Sequence, residues 1–289
     1  MRITRSIHTF VQKISRRLLG SLAVLYLPPP PADLRFAYGP TRYHFGDLRL
    51  PAGPGPHPVV VVIHGGFWRS MYGLEQTGHL CAALTSTGVA TWNVEYRRLG
   101  NQGGGWPGTF LDVANGVSYL NILLPRYNLD LERILVMGHA AGGQLALWLA
   151  GIQRAPASAA LNLPDKLPLR GAIALAGVVN LHQAWQLKLS NRVVQRLMGG
   201  SPQQYPERYA LASPSELLPM GVPQVLLHGT RDRRVPFEIS QRYHAAAQAK
   251  GEDVRLVSLP GANHFSLIDP HSAAWPHVLE AVQSLLAKR

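Results

Sequence analysis

Cysteine is almost missing: Cys81 is the single one in 289 residues. An internal disulfide framework and any multi-cysteine metal site are therefore excluded. Charge is scarce as well, at 15% Asp, Glu, Lys and Arg against 46% hydrophobic residues. Such a chain has ample apolar side chain for a large core and lacks the composition of a disordered one. No apolar run reaches the ~18 residues that a membrane-crossing helix needs; the longest, residues 18–27, is interrupted by Gly20 and Ser21. Acid is the rarer sign of charge, 16 residues against 28 Lys and Arg, which leaves a net charge of +12. That excess first suggests nucleic acid, but its distribution argues otherwise. Residues 1–50 hold eight Lys and Arg against Asp33 and Asp47, so half the excess sits in the first sixth of the chain. The remainder is mildly basic and carries no nucleic-acid motif, and no nucleic-acid partner is expected.

Residues 1–34 separate from the rest as a basic amphipathic helix and a proline-rich spacer. Ile3, Ile7, Phe10, Val11, Ile14, Leu18, Leu22 and Leu25 recur at three- and four-residue intervals, which predicts one helix over residues 3–25 with an apolar stripe. Arg2, Arg5, Lys13, Arg16 and Arg17 fall opposite, and Pro28 to Pro31 end the helix. Three roles compete for it. It can cover an apolar groove on its own domain or on a second copy, lie in an anionic membrane surface, or act as a signal segment, for which no small-x-small cleavage site follows. A cytoplasmic protein is expected, with membrane-surface association through residues 3–25 and secretion as the alternatives.

Residues 35–289 read as one α/β domain. Residues 41–50 suggest a hairpin turning at Gly46-Asp47. Short β-branched or apolar runs at 59–63, 89–94, 134–137, 172–176, 224–227 and 254–259 suit strands buried on both faces. Helical patterns at 74–84, 109–124, 142–150, 237–249 and 275–287 alternate with them. The alternation predicts a mostly parallel, doubly wound sheet. Residues 177–223 break the rhythm and are expected to form a helical cap over the carboxyl edge of the sheet, where such folds bind ligands.

Four stretches carry the chemistry. Gly138-His139-Ala140-Ala141-Gly142 joins a strand to a helix and matches the nucleophile elbow Gly-x-Ser-x-Gly except at its centre, where alanine stands. His228-Gly229-Thr230-Arg231-Asp232 places an acid just past a strand, and Asn263-His264-Phe265 places a histidine past the next. An aspartate that fixes an imidazole, which in turn takes a nucleophile's proton, requires this order of elbow, acid, histidine in a sheet of this kind. His64-Gly65-Gly66-Phe67-Trp68 follows the first buried strand; its backbone N–H groups at Gly66 and Phe67, with that of Ala141 opposite, suit an oxyanion. His64 reads as a brace for that loop. Trp68, Trp106 and Trp185 are possible substrate-pocket walls as well as ordinary core residues. Arg69 and Arg234 would favour an acidic substrate if they face the site rather than solvent. The twelve histidines show no paired ligand spacing, and no metal or cofactor is expected.

With these residues in hand, the chain resembles the α/β-hydrolase superfamily, in particular the esterase group with the His-Gly-Gly-x-Trp loop. That group includes kynurenine formamidases, bifunctional feruloyl and acetyl-xylan esterases, and prolyl-oligopeptidase-like hydrolases. Glu95-Tyr96-Arg97-Arg98 and Gly103-Gly104-Gly105-Trp106-Pro107-Gly108 resemble segments of the same group. The resemblance spans residues 35 to 289 and implies an α/β-hydrolase fold and acyl transfer from a small ester or amide. The departure is Ala140. A methyl group cannot attack a carbonyl, and losing the nucleophile of such a triad costs about a millionfold in turnover. Neither neighbour in kind replaces it: Cys81 belongs to the core pattern of an early helix, and His139 should point away from the apex of the elbow. Either a serine was replaced in an ester hydrolase otherwise complete, or the chain is a natural noncatalytic relative that binds a ligand. Amide hydrolysis of the arylformamidase or peptidase type is the further alternative.

Overall fold

The computed structural model describes residues 18–154, 161, 163–164 and 166–288. Eight strands form one sheet: β1 (Leu34–Ala37), β2 (Phe45–Arg49), β3 (His57–Ile63), β4 (Ala90–Val94), β5 (Leu129–His139), β6 (Leu169–Leu175), β7 (Gln224–Gly229) and β8 (Val254–Leu259). Their order is β1-β2-β4-β3-β5-β6-β7-β8. The pairs β1/β2 and β2/β4 are antiparallel, and every pair from β4 to β8 is parallel. The expected mostly parallel α/β-hydrolase sheet is the fold observed.

Alternation along each central strand explains why helices cover both faces. Val59, Val61 and Ile63 join one buried cluster, whereas Val60 and Val62 join the other. Ile134 and Val136 part in the same way from Leu135 and Met137, and Ala172 and Ala174 from Ile173 and Leu175. A period of two with both phases apolar leaves neither face fit for water. Ordinary crossovers between parallel strands then bring the carboxyl ends of β3, β5, β7 and β8 to one edge.

Three local expectations need correction. The early hairpin does not turn at Gly46-Asp47; those residues lie inside β2, and the connection runs from 38 to 44. Gly46 is glycine because the Trp92 ring lies across it: a Cβ there would sit 2.4 Å from that ring. The helix expected over 109–124 is two, Gly108–Ser118 and Leu120–Leu123. The amphipathic helix expected over 3–25 lies outside the described residues up to 17. From Gly20 to Leu25 the chain is a tighter 3-10 helix, whose Ala23 and Val24 are buried. This segment packs on the helix Glu75–Thr85 and on the 3-10 helix His264–Ile268.

Residues 177–223 contain helices and no strand among the described residues: Leu181–Gln186, Leu189–Met198 and Pro206–Ala212. Left-handed backbone at Ser190, Asn191 and Arg192 interrupts the second of these. No helix among the described residues is long and apolar enough to cross a membrane.

Candidate active site

β5 runs straight into the helix Ala141–Ile152, and the one residue between them is Ala140, with φ +52° and ψ −114°. An alanine there is strained by about 1–3 kcal/mol, a conformation that persists only where the surroundings impose it. They do. The Ala140 N–H donates to the Leu175 carbonyl at 2.9 Å, and the Ala140 carbonyl accepts from Val178 N at 3.1 Å. The flanking glycines are steric necessities: a Cβ at Gly138 would lie 2.0 Å from the Gly142 oxygen, and one at Gly142 would lie 2.0 Å from the Ile63 oxygen. The sharp turn aims position 140 into a cavity of about 590 Å³ that His139, Ala140, His264, Gly66 and Phe67 line together.

The acid and the histidine come from the next strand ends. His264 Nδ1 lies 2.7 Å from Asp232 Oδ2, and the Asp232 side chain is fully buried. An acceptor at Nδ1 places the proton there and leaves Nε2 with its lone pair. Asp232 Oδ1 accepts from Arg234 N at 2.7 Å and Val235 N at 2.9 Å, so the carboxylate cannot rotate. Burial alone would raise its pKa, but hydrogen bonds from His228 and His264 override that and hold it well below the ordinary carboxylate range. The histidine loop is itself fixed: the Asn263 side chain accepts from Phe265 N and Ser266 N, while Ser266 Oγ accepts from Asn263 N.

Two further histidines belong to this cluster, and spacing in the sequence does not reveal either role. His228 sits with Nε2 3.0 Å from the Val235 oxygen and 3.3 Å from Asp232 Oδ2; its Nδ1 accepts from Ser240 Oγ at 2.7 Å. His139, expected to point away from the apex of the elbow, borders the cavity all the same. Its ring packs on that of His264 with centroids 4.5 Å apart, and its Nε2 donates to the His264 carbonyl at 3.0 Å. Burial, with His264 adding to it, pushes the His139 pKa down to about 3. Scattered in sequence, these side chains converge because each terminates a strand at the same edge. Among the described residues no group of side chains has the makings of a metal site.

The loop after β3 faces the elbow. Gly66 has φ +103° and Phe67 +51°, and both residues line the cavity beside Ala140. Ala141 opens its helix, so its N–H has no helical carbonyl to bond. His64 does brace this loop. Its Nε2 lies 3.0 Å from Glu95 Oε1, its ring stacks on Tyr96, and the Tyr96 hydroxyl donates to the His64 carbonyl at 2.8 Å. Glu95 also accepts from Leu74 N and Tyr96 N. Burial would raise its pKa, but His64 and Arg98 bring it below the ordinary value.

Of the two readings open for the tryptophans, pocket wall or core, the fold takes the core. Trp68 is fully buried, and its indole N–H donates to Gln144 Oε1 at 3.1 Å. It ties the loop to the elbow helix and is not among the residues that line the cavity. Trp106 packs edge-on against Phe110, and Trp185 rests on the main core; neither reaches the cavity. The walls are instead Phe67, Met71, Tyr72 and Phe265, with Leu22, Val24, Leu25, Tyr26 and Leu27 from the amino-terminal segment. Arg69 and Arg234 do line it. Arg69 is already engaged, with Nη2 donating to the Ser190 carbonyl at 2.5 Å.

Comparison with known proteins accords with this geometry. The BD-FAE family model matches residues 47–246. Esterase LipC of Mycobacterium tuberculosis is 26% identical over 228 residues, covering 74% of this chain and 54% of that protein. Isoprenylcysteine alpha-carbonyl methylesterase ICME of Arabidopsis thaliana is 25% identical over 266 residues, covering 86% and 60%. The chain thus spans little more than half the length of these curated relatives. Among solved structures, a truncated carbohydrate esterase from gut microbiota superposes with a TM-score of 0.75 at 19% identity, covering 91% of this chain and all of that one.

Proposed function

The chain belongs to the BD-FAE family, and on that premise we propose that it is a serine-type carboxylic-ester hydrolase scaffold whose nucleophile position is occupied by Ala140. The observation that carries this is the strained backbone at Ala140, sharing a cavity with a histidine already oriented by a buried aspartate. Strain of that kind has no structural use for alanine. It serves to hold an attacking hydroxyl clear of the sheet edge.

With serine at 140, each step is assigned to one of these groups. The hydroxyl oxygen attacks the ester carbonyl carbon while His264 Nε2 takes its proton. Asp232, ionised at every working pH, stabilises the resulting imidazolium. The tetrahedral oxyanion accepts hydrogen bonds from the Gly66, Phe67 and Ala141 N–H groups. The imidazolium returns its proton to the departing alcohol, leaving an acyl-enzyme. Water then repeats the sequence, with His264 first as base and then as acid. A small ester is the favoured substrate, and an amide of the formamide type would pass through the same states. As it stands, with a methyl group at 140, the chain binds and does not turn over.

The test is Ala140→Ser, assayed with 4-nitrophenyl butyrate. Hydrolysis rising at least a thousandfold over the starting chain is expected, since the nucleophile of such a triad supplies about six orders of magnitude. Adding Asp232→Asn should remove about 10³–10⁴ of the turnover gained. No gain from serine would overturn the hydrolase reading and leave a ligand-binding relative.

A further inference from the structure

The cavity beside Ala140 has two unlike ends. The lining beside Ala140 includes His139, His264, Gln76 and Gly66. Five further lining residues, Leu22, Val24, Leu25, Tyr26 and Leu27, come from a stretch outside the family match at 47–246. The segment is held by its own inward residues: Ala23 is fully buried, Val24 is 2% exposed, and Val24 shares a core cluster with Leu267 and Ile268 directly after His264. Ser21 Oγ donates to Ser266 Oγ at 3.4 Å, and His79 Nε2 donates to the Leu27 carbonyl at 3.1 Å. So anchored, the segment leaves its other residues on the cavity side. Leu22 is 40% exposed and Tyr26 71% exposed, and they line the same cavity as Met71, at 73%.

Apolar side chains held at an open mouth gain free energy only when something apolar covers them. A hydrocarbon chain in the cavity would do this, and each added methylene would cover more of them. We propose that residues 22–27, with Met71 and Tyr72, form a hydrocarbon subsite that selects esters bearing an unbranched alkyl chain over acetyl esters. The subsite presupposes that this cavity is the ester site, and it assigns substrate class to a segment that no other part of the site requires. Arg69, Glu75 and Arg234 are the Arg and Glu side chains of the lining, and Glu75 is exposed to solvent. Arg69 is bonded to Ser190, and Arg234 lies in solvent at the rim.

The experiment uses the chain as it stands, because Ala140 preserves the ester during binding. Calorimetric titration with 4-nitrophenyl acetate, butyrate and hexanoate should show affinity rising about fourfold for each added methylene. In Leu22→Ser/Tyr26→Ser, two exposed positions whose replacement leaves the anchoring residues untouched, the rise should fall below twofold per methylene. Leu22→Trp, which fills the wall, should weaken hexanoate at least tenfold relative to acetate. A flat series in the starting chain, or the same slope in both variants, would overturn the proposal. Hydrolysis by Ala140→Ser with a flat series would sink the subsite alone, and an inert serine variant with a steep series would sink the hydrolase reading alone.

Discussion

At the scale of a single residue, function turns on Ala140. Its φ of +52° is a conformation an alanine leaves when free to do so, and here the bonds to Leu175 and Val178 prevent it. A β-branched side chain in that conformation adds the clash of two γ carbons with the backbone. Ala140→Val is therefore expected to lower the unfolding free energy by about 2 kcal/mol, whereas Ala140→Ser should change it by less than about 0.5 kcal/mol. Urea unfolding measures both, and equal midpoints for valine and serine would show that the turn relaxes. The elbow is legible in the sequence itself, because the Gly-x-x-x-Gly run around position 140 announces a tight turn. The collision distances of Gly138 and Gly142 with the Gly142 and Ile63 oxygens state why nothing larger is tolerated.

At the scale of elements, strand ends bring together what the chain separates. β5 ends in His139, β7 ends beside His228 and Asp232, and β8 leads to His264. This convergence makes stability respond to acid in a definite direction. An unfolded histidine titrates near 6.5, whereas His139 in the fold is pushed down to about 3 by burial. The unfolded chain thus binds a proton that the folded chain refuses. The His139 contribution is complete above about pH 6.5 and declines by about 1.4 kcal/mol per pH unit as pH falls toward 3. Asp232 is depressed instead, so its contribution is complete above about pH 4 and is lost only in stronger acid. His139→Gln, which keeps a donor for the His264 carbonyl, should remove one proton from the slope between pH 6 and 4. Urea midpoints across that range read the slope, and an unaltered slope would assign it to other groups.

For the whole molecule, the question is how far the amino-terminal segment belongs to the hydrolase body. Val24 is 2% exposed and joins the core cluster on the face of the sheet that carries His264, so the segment is integral and not appended. Burying an unpaired carboxylate there has no partner to offset it. Val24→Asp should lower the unfolding free energy by about 2 kcal/mol or more, while Leu18→Asp, at a site 79% exposed, should leave it within about 0.5 kcal/mol. Thermal unfolding followed by circular dichroism compares the two, and equal effects would mean that the segment is only loosely applied. The apolar stripe in the sequence indicates that residues 18–25 want cover. It does not indicate what covers them.

Local chemistry can be read from the chain alone wherever it depends on neighbours in sequence. Buried strands announce themselves by apolar runs at both phases of a period of two, the elbow and the loop after β3 by glycines, and the acid and histidine by their positions just past strands. Contacts between distant segments follow from sheet order and backbone angles, which no local pattern encodes. That is why the choice for Trp68 between pocket wall and core was open until the fold made it the strut between the loop and Gln144. It is also why the hairpin shifted, since Gly46 answers to a ring 46 residues later, at Trp92. Only the assembled sheet decided that His139 and His228 join the aspartate and histidine pair, and that residues 22–27 wall the cavity. Those relations exist only once packing has brought separate strand ends to a single edge.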